Sequence, residues 1–304
     1  MAIYHCSVKT VSRGNGSSSC ASAAYRSGEK VKDYRTEVTY DYSRKNDVDH
    51  KEIIGYEGSR SDLWNAAEKA EIRKDATVAR EYEVALPTSL SREHKIELAS
   101  DFGHWINQRH EVAVDVCIHK INSDNPHVHI MTTTRKSNGR CLEEKVAREW
   151  SDTKRKEHGL EGRKQDLLEA REVWATKVNQ ILEREQIQER ISHVSLKEQG
   201  IEREPTIHIG HVACAMEERG EVSERGDRNR QIIEMNQKKI EPELEPNILV
   251  DGLALARIQF ERHKQKILGE QCVRQAIQEQ KQRTNLDKER TITPEKEISR
   301  GFER

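Results

Sequence analysis

The chain has 304 residues, of which 34% are hydrophobic and 35% are charged, and its net charge is −1. This length accommodates one sizeable domain with an extension or two small domains, and the low apolar content predicts that part of the chain builds no core. Near-neutral charge excludes a globally basic protein, so any nucleic-acid site must be a local patch. The six cysteines form no C-x-x-C pair and no apolar run approaches a membrane span. We therefore expect a cytoplasmic protein with reduced thiols and no membrane insertion.

The aromatic residues divide the chain into two parts. All seven tyrosines lie within the first 82 residues, and all four tryptophans precede position 175. This distribution predicts a globular N-terminal part, which we delimit as residues 1–210. Residues 211–282 are predicted to form a charged helical extension, with helices over 217–237 and 247–282, and residues 283–304 a disordered tail.

The first 74 residues alternate between strand and helix signals. Residues 2–10 predict a strand, residues 11–19 a Gly/Ser loop, and residues 20–31 an alanine-rich helix that carries Tyr25. Short polar strands or loops follow over 36–57, and a helix is predicted from Ser61 to Lys74. Residues 1–36 also contain a local basic patch, made of Lys9, Arg13, Arg26, Lys30, Lys32 and Arg35.

The next segment predicts an antiparallel sheet. A strand over 78–87 places Glu81 and Glu83 on the same face, which is unusual for carboxylates within an apolar strand. A helix from Ser91 to about His110 precedes two strands, which a polar turn around residues 121–126 joins into a hairpin. The order β-α-β-α-β-β indicates an α+β fold with helices packed on an antiparallel sheet. A further long helix is predicted over 164–185, followed by a compact connector over 193–210.

Three histidines lie in the predicted hairpin. His127 and His129 are two residues apart in one strand, so they share a face, and His119 ends the neighbouring strand on the face opposite its valines. Three neutral imidazoles can bind a divalent first-row metal and leave positions open for substrate oxygens. Two alternatives remain at this point, namely surface histidines without a ligand and a structural zinc site, although structural zinc usually has four ligands and we find no clear fourth.

Tyr25 suggests a chemistry for such a metal site. A tyrosine can attack phosphorus as a covalent nucleophile if nearby positive charge or a base offsets its pKa of about 10. A metal would stabilise the charge that develops on the phosphoryl oxygens. The alternative is that Tyr25 is a half-buried helix residue that only packs on the sheet.

Several dispersed segments, in the same order, resemble conjugative relaxases of the MobA/MobL family, the MobQ type of the HUH endonucleases. The segments that carry the resemblance, over roughly residues 1–210, are AIYHCSVKTVSRGNGSSS, AAYRSGEK, DLWNAAEKAEIRKDATVAREYEVALP, DVCIHK, NPHVHIMTTTR and GIEREPTIHIG. Weaker similarity continues in MEERGEVSERGDRNRQ.

The resemblance implies a role for each site residue. Tyr25 matches the catalytic tyrosine, which would attack the scissile phosphate of a plasmid transfer origin and form a 5′-phosphotyrosyl link that is later religated. His119, His127 and His129 match the metal ligands, and the implied cofactor is Mg²⁺ or Mn²⁺. Glu81 matches an acid that orients a ligand histidine or accepts the tyrosine proton.

The resemblance also implies partners. They are single-stranded DNA at the transfer origin, accessory mobilisation proteins and a type IV coupling protein, with possible translocation of the protein into a recipient cell. We expect DNA contacts from Lys9, Arg13, Arg26 and Arg80. Ser151 stands where the family has an asparagine, and the chain ends before the helicase or primase region of longer relatives, so unwinding would come from another protein. A catalytically weak DNA-binding accessory protein is the alternative function.

Overall fold

The computed structural model describes residues 4–240, and within this range the chain forms eight strands and seven α-helices. The strands are β1 (Cys6–Ser12), β2 (Lys30–Asp33), β3 (Val38–Asp41), β4 (Val48–Ile54), β5 (Thr77–Ala85), β6 (Val112–His119), β7 (His127–Ser137) and β8 (Leu142–Lys145). The helices are α1 (Ser19–Ser27), α2 (Arg60–Ala70), α3 (Arg92–His110), α4 (Asp152–Glu157), α5 (Arg163–Arg184), α6 (His211–Glu218) and α7 (Glu224–Ile240).

An antiparallel sheet of order β1-β5-β7-β6-β4 forms the centre of the fold, and β8 extends it by pairing with β7. The apolar side chains of the two faces belong to two separate cores. One core packs α3 and α5 on the face that carries Val114, Val116 and Ile130. The other packs α1 and α2 on the face that carries Ala113 and Met131. The predicted α+β fold with helices on an antiparallel sheet is confirmed.

The helix predicted over 20–31 ends earlier than expected. Gly28 caps α1 in the left-handed conformation, with φ of 63°, and its N–H donates to Ala24 O. Glycine adopts this conformation without a Cβ penalty, so the chain reverses here and continues as β2. Together β2 and β3 form a separate two-stranded hairpin, and the polar segment 36–57 supplies β3 and the edge strand β4.

The described chain divides into two compact units, one ending at Ile201 and one starting at Glu202. The single helix predicted over 217–237 is wrong, because Gly220, with φ of 80°, separates α6 from α7. The helix predicted over 247–282 and the tail predicted over 283–304 lie outside the described residues. The limit of the first domain at residue 210 stays a prediction. Among residues 4–240, no helix is both long enough and apolar enough to cross a bilayer.

Candidate active site

The strand register brings the three histidines onto one face of the sheet. His119 of β6 lies directly opposite His127 of β7, and Cys117 lies opposite His129. Directly paired residues share a face, and residues two apart along a strand share it as well. The imidazole centroids are 5.4, 4.8 and 5.1 Å apart. The sequence-predicted cluster therefore forms from two adjacent strands, without any loop having to fold over it.

Each histidine uses one ring nitrogen for a hydrogen bond to an oxygen acceptor. Nδ1 of His127 lies 2.9 Å from Asn125 O, and Nδ1 of His129 lies 2.6 Å from Glu81 Oε1. In His119 the hydrogen-bonded nitrogen is Nε2, which lies 2.6 Å from Arg26 O. A carbonyl accepts only, so the bonded nitrogens of His119 and His127 must carry the proton and the other nitrogen keeps its lone pair.

The cluster fits a divalent metal. One ligand atom from each of the three side chains lies within 4.8 Å of the other two. Burial lowers the pKa of His119 to about 4 and also lowers the pKa of His127, so both imidazoles are neutral at pH 7. Neutral imidazoles with one fixed N–H and one free lone pair are the form in which histidine binds metals.

Glu81 connects the histidines to α1. The residue is 2% exposed, and its carboxylate accepts from His129 on one side and from Nε and Nη2 of Arg26, each at 2.5 Å, on the other. Burial by itself would raise the pKa of Glu81, but the hydrogen bonds from His129 and Arg26 outweigh it and lower the pKa to about 2. The group is therefore a carboxylate at neutral pH, with both oxygens in use.

Tyr25 lies next to the cluster on the last turns of α1. Its ring is 48% exposed and packs edge-on against Tyr42, with centroids 5.3 Å apart. The ammonium of Lys45 lies 3.8 Å from the Tyr25 ring centroid and donates to Tyr25 O at 3.0 Å. The same Nζ lies 3.5 Å from His119 Nδ1. One lysine thus touches both the exposed tyrosine and a histidine of the cluster.

The four basic residues expected to contact DNA lie in different surroundings. Arg26 and Lys9 are beside the histidines, where Lys9 pairs with the half-buried Glu83. Arg13 has an 8% exposed side chain and donates to Glu68 and to backbone carbonyls near the end of α2. Arg80 lies on the opposite face of β5 from Glu81 and pairs with Glu149 at 2.5 Å. Arg80 thus faces away from the histidines, and the hydrogen bonds of Arg13 hold it at the end of α2.

Two features were not singled out from the sequence. Lys45 lies in the loop between β3 and β4, where no periodic pattern predicts its direction. Buried Arg148 donates to Tyr82 Oη and Thr132 Oγ1 and pairs with Glu149. These bonds form a structural network on the far face of the sheet, the face opposite the histidines.

Ser151, the residue that departs from the family pattern, caps α4 by accepting from Lys154 N at 3.3 Å.

Fold and site together define an α+β protein with a three-histidine face whose geometry fits a metal ion, beside an exposed tyrosine. The chain belongs to the MobA/MobL family, whose model matches residues 17–219.

Proteins with similar sequences support this membership. Mobilization protein MobL of Acidithiobacillus ferridurans is 34% identical over 74% of this chain and 66% of its own length. The probable mobilization protein MobA of Bifidobacterium longum is 32% identical over 78% of this chain and 48% of its own length. The chain thus spans between about half and two thirds of these two proteins. A solved structure concerning the molecular basis of vancomycin resistance transfer in Staphylococcus aureus aligns with a TM-score of 0.54 and 30% identity, over 64% of this chain and 100% of the solved chain.

Proposed function

We propose that the protein is a plasmid mobilisation relaxase, which nicks one strand of a transfer origin by tyrosine transesterification. The observation that carries the proposal is that Lys45 and the backbone of Arg26 connect Tyr25 to the three-histidine cluster. Arg26, the residue after Tyr25, accepts through its backbone from His119, and Lys45 touches both Tyr25 and His119. A nucleophile and a metal site held by the same contacts can act on a single phosphate.

In the proposed reaction the Tyr25 hydroxyl attacks phosphorus. The hydroxyl loses its proton, a bond forms between Oη and phosphorus, and the bond between phosphorus and the 3′ oxygen breaks. The leaving 3′ oxygen takes a proton, and the strand stays attached through a 5′-phosphotyrosyl link. Since one phosphoester replaces another, the reverse reaction needs no ATP and joins the strand to a 3′-OH end after transfer.

A divalent ion would be held by His119, His127 and His129, and when bound it would supply stabilisation of charge on the phosphoryl oxygens. Of the two expected ions, the donor set favours Mn²⁺. Mg²⁺ prefers oxygen ligands and an octahedral shell with several waters, whereas imidazole nitrogen suits the transition metals.

Glu81 is assigned the role of orienting His129 instead of accepting the Tyr25 proton. Its pKa of about 2 makes it a weak base at neutral pH, and its oxygens already accept from His129 and Arg26. A carboxylate that receives the second N–H of a ligand histidine fixes the ring orientation and raises the basicity of the ligand nitrogen.

The substrate would be a single strand, because a tyrosine on a rigid helix reaches a phosphate of a flexible strand more readily than one in a stacked duplex. Accessory mobilisation proteins and a type IV coupling protein would then deliver and export the covalent complex. The alternative is an accessory protein that binds the transfer origin without cutting it.

The test is a denaturing gel with a single-stranded oligonucleotide of the plasmid's own transfer origin. With Mn²⁺ the wild type should form a covalent protein–DNA band and release a 3′-OH fragment. Tyr25→Phe removes one oxygen at almost constant volume, so DNA binding should survive while the covalent band disappears. An added 3′-OH strand should be joined by the wild type and not by the variant.

Tyr42→Phe is the matched control, because Tyr42 is the ring neighbour of Tyr25. If Tyr42→Phe loses the covalent band and Tyr25→Phe keeps it, Tyr42 is the nucleophile. Cutting without attached protein would indicate a hydrolytic nuclease, and binding without cutting would support the accessory function.

A further inference from the structure

A cavity lies at the tip of the β2–β3 hairpin, away from the histidine cluster in sequence and topology. Its volume is about 460 Å³, and it opens between the hairpin and α2. Tyr34 and Arg35 from the turn form part of its wall, and α2 contributes Asn65, Ala66 and Lys69. The Tyr34 side chain is 59% exposed, which is unusual for an aromatic ring beside a packed helix.

The backbone of Tyr34 and the side chain of Arg35 are held in place. Asn65 accepts from Tyr34 N at 2.8 Å and donates to Lys32 O at 2.8 Å, so a single α2 amide fixes the backbone on both sides of Asp33. Arg35 Nε lies 3.2 Å from a carboxylate oxygen of the buried Glu68. The guanidinium of Arg35 is thus presented at the cavity with little freedom left to lose on binding, beside a Tyr34 ring that is carried on a fixed backbone.

The hairpin connects this cavity to the candidate active site. The first strand of the hairpin, β2, follows α1, which carries Tyr25. The second strand, β3, ends next to Tyr42, which packs on the Tyr25 ring. Between these ends, β2 and β3 pair over four residues each. At about 3.3 Å per residue the hairpin spans roughly 13 Å, a distance that a few nucleotides of an extended single strand would cover.

We propose that this cavity, lined by Tyr34 and Arg35, binds an unstacked base of the single strand that reaches Tyr25. The inference rests on the proposed function, since it assigns a second contact to the same strand. Tyr34 supplies a stacking face and Arg35 a cation beside it, which is the chemistry that recognises bases in single strands. Asp62 and Lys69 at the wall supply a hydrogen-bond acceptor and a donor for the edge of the base.

The charged side chains along the hairpin are consistent with a DNA strand that runs over it. Lys30 and Lys32 have exposed side chains on the same face of β2, and Lys32 Nζ lies 5.8 Å from the Tyr34 ring centroid. Their partners Asp41 and Glu37 are themselves exposed, so phosphate groups can replace these ion pairs at little cost.

The direct test is photo-crosslinking of the full-length protein to oligothymidylate with 5-iodouracil at a single position, followed by mass spectrometry of the digested complex. Moving the iodouracil along the strand should give a position at which Tyr34 is the crosslinked residue. Crosslinks that map only to other residues, on a strand that the protein binds, would overturn the proposal. A wild type that binds no single strand would overturn it as well.

Two variants separate stacking from the fold. Tyr34→Ala should weaken binding of oligothymidylate about tenfold, as the loss of one stacked base predicts, and Tyr34→Phe should retain the wild-type affinity. Thermal unfolding should be unchanged in both, because the ring is exposed. Equal affinity of Tyr34→Ala and the wild type would overturn the proposal.

The crosslinking and affinity measurements do not depend on whether the protein cuts the DNA. The covalent band of the wild type with its origin strand tests the proposed function. A protein that forms the band but gives no Tyr34 crosslink keeps its proposed function and loses only the base-binding cavity.

Discussion

At the scale of single residues, the two carboxylates Glu81 and Glu83 show how position decides function. They are two apart on the same strand face, but Glu81 is buried between His129 and Arg26, whereas the side chain of Glu83 is 27% exposed and pairs with Lys9. The sequence pattern treats them alike, and only the position of α1 distinguishes them.

Glu81→Gln is therefore expected to weaken metal binding by about 10- to 100-fold, as the loss of a carboxylate partner of a ligand histidine does in other metal sites. Glu83→Gln is the matched control and should leave metal affinity nearly unchanged. Isothermal titration with Mn²⁺ measures both. Equal effects of the two variants would mean that the carboxylates act only through the net charge of the site.

Substitution of Lys45 is predicted to change metal affinity and the rate of adduct formation in opposite directions. Its ammonium lies 3.5 Å from His119 Nδ1, where it repels a cation held by the histidines, while its contact with the Tyr25 ring fixes the nucleophile. Lys45→Met should thus tighten Mn²⁺ binding and slow the formation of the covalent DNA adduct. Lys51→Met is the control, because Lys51 pairs with Glu29 and contacts the end of α1. Looser metal binding in Lys45→Met would contradict this assignment.

At the scale of secondary-structure elements, the alternation of β-strands made much of the site predictable. The H-x-H pattern and the polar turn before it give the register of β6 and β7, so the three histidines could be assigned to one face from the sequence alone. The same alternation places Arg80 on the face opposite Glu81, which excludes it from the histidine site. Lys45 could not be predicted, because its direction depends on how the loop after β3 packs under α1.

A network of ion pairs on the far face of the sheet joins β5 to the segment before α4. It consists of Arg80, Arg148 and Glu149. Glu149 has a 6% exposed side chain and accepts from both arginines. Burial would raise the pKa of Glu149, but the charges and hydrogen bonds of Arg148 and Arg80 outweigh it and lower the pKa. The carboxylate therefore stabilises the fold at pH values above the ordinary range of a glutamate.

Glu149→Gln leaves the buried guanidinium of Arg148 and the partly exposed one of Arg80 without a counter-charge and should cost about 3 kcal/mol at pH 7. Because the folded-state pKa lies below the unfolded-state value, the stabilisation is complete above about pH 4.5 and is lost as the pH falls through the folded-state pKa. Urea unfolding at pH 7 and pH 3 measures it. The difference between wild type and variant should shrink at pH 3, and a constant difference would show that packing, not charge, explains the loss.

At the scale of the whole molecule, both hydrophobic cores found among the described residues lie in the first unit, the part of the chain that carries the tyrosines and tryptophans. The first unit closes both faces of the sheet with its own helices, and the side chain of Trp174 in α5 is completely buried. In the second unit, Asn229 and Asn236 of α7 bind the backbone of Ile207 and Glu204. The connector predicted to continue to residue 210 therefore binds within the second unit over part of its length.

This division predicts that a chain ending at Ile201 folds by itself and forms the covalent adduct with the origin strand, because Tyr25, Glu81 and the three histidines all belong to the first unit. A chain ending at Val222, which retains α6 and the whole family match, is the comparison. Circular dichroism and thermal unfolding report the fold, and the denaturing gel reports the adduct. If the shorter chain folds but forms no adduct while the longer one does, residues 202–222 contribute to the reaction or to strand binding. If the shorter chain does not fold, this segment is part of the first unit's core and the boundary at Ile201 is wrong.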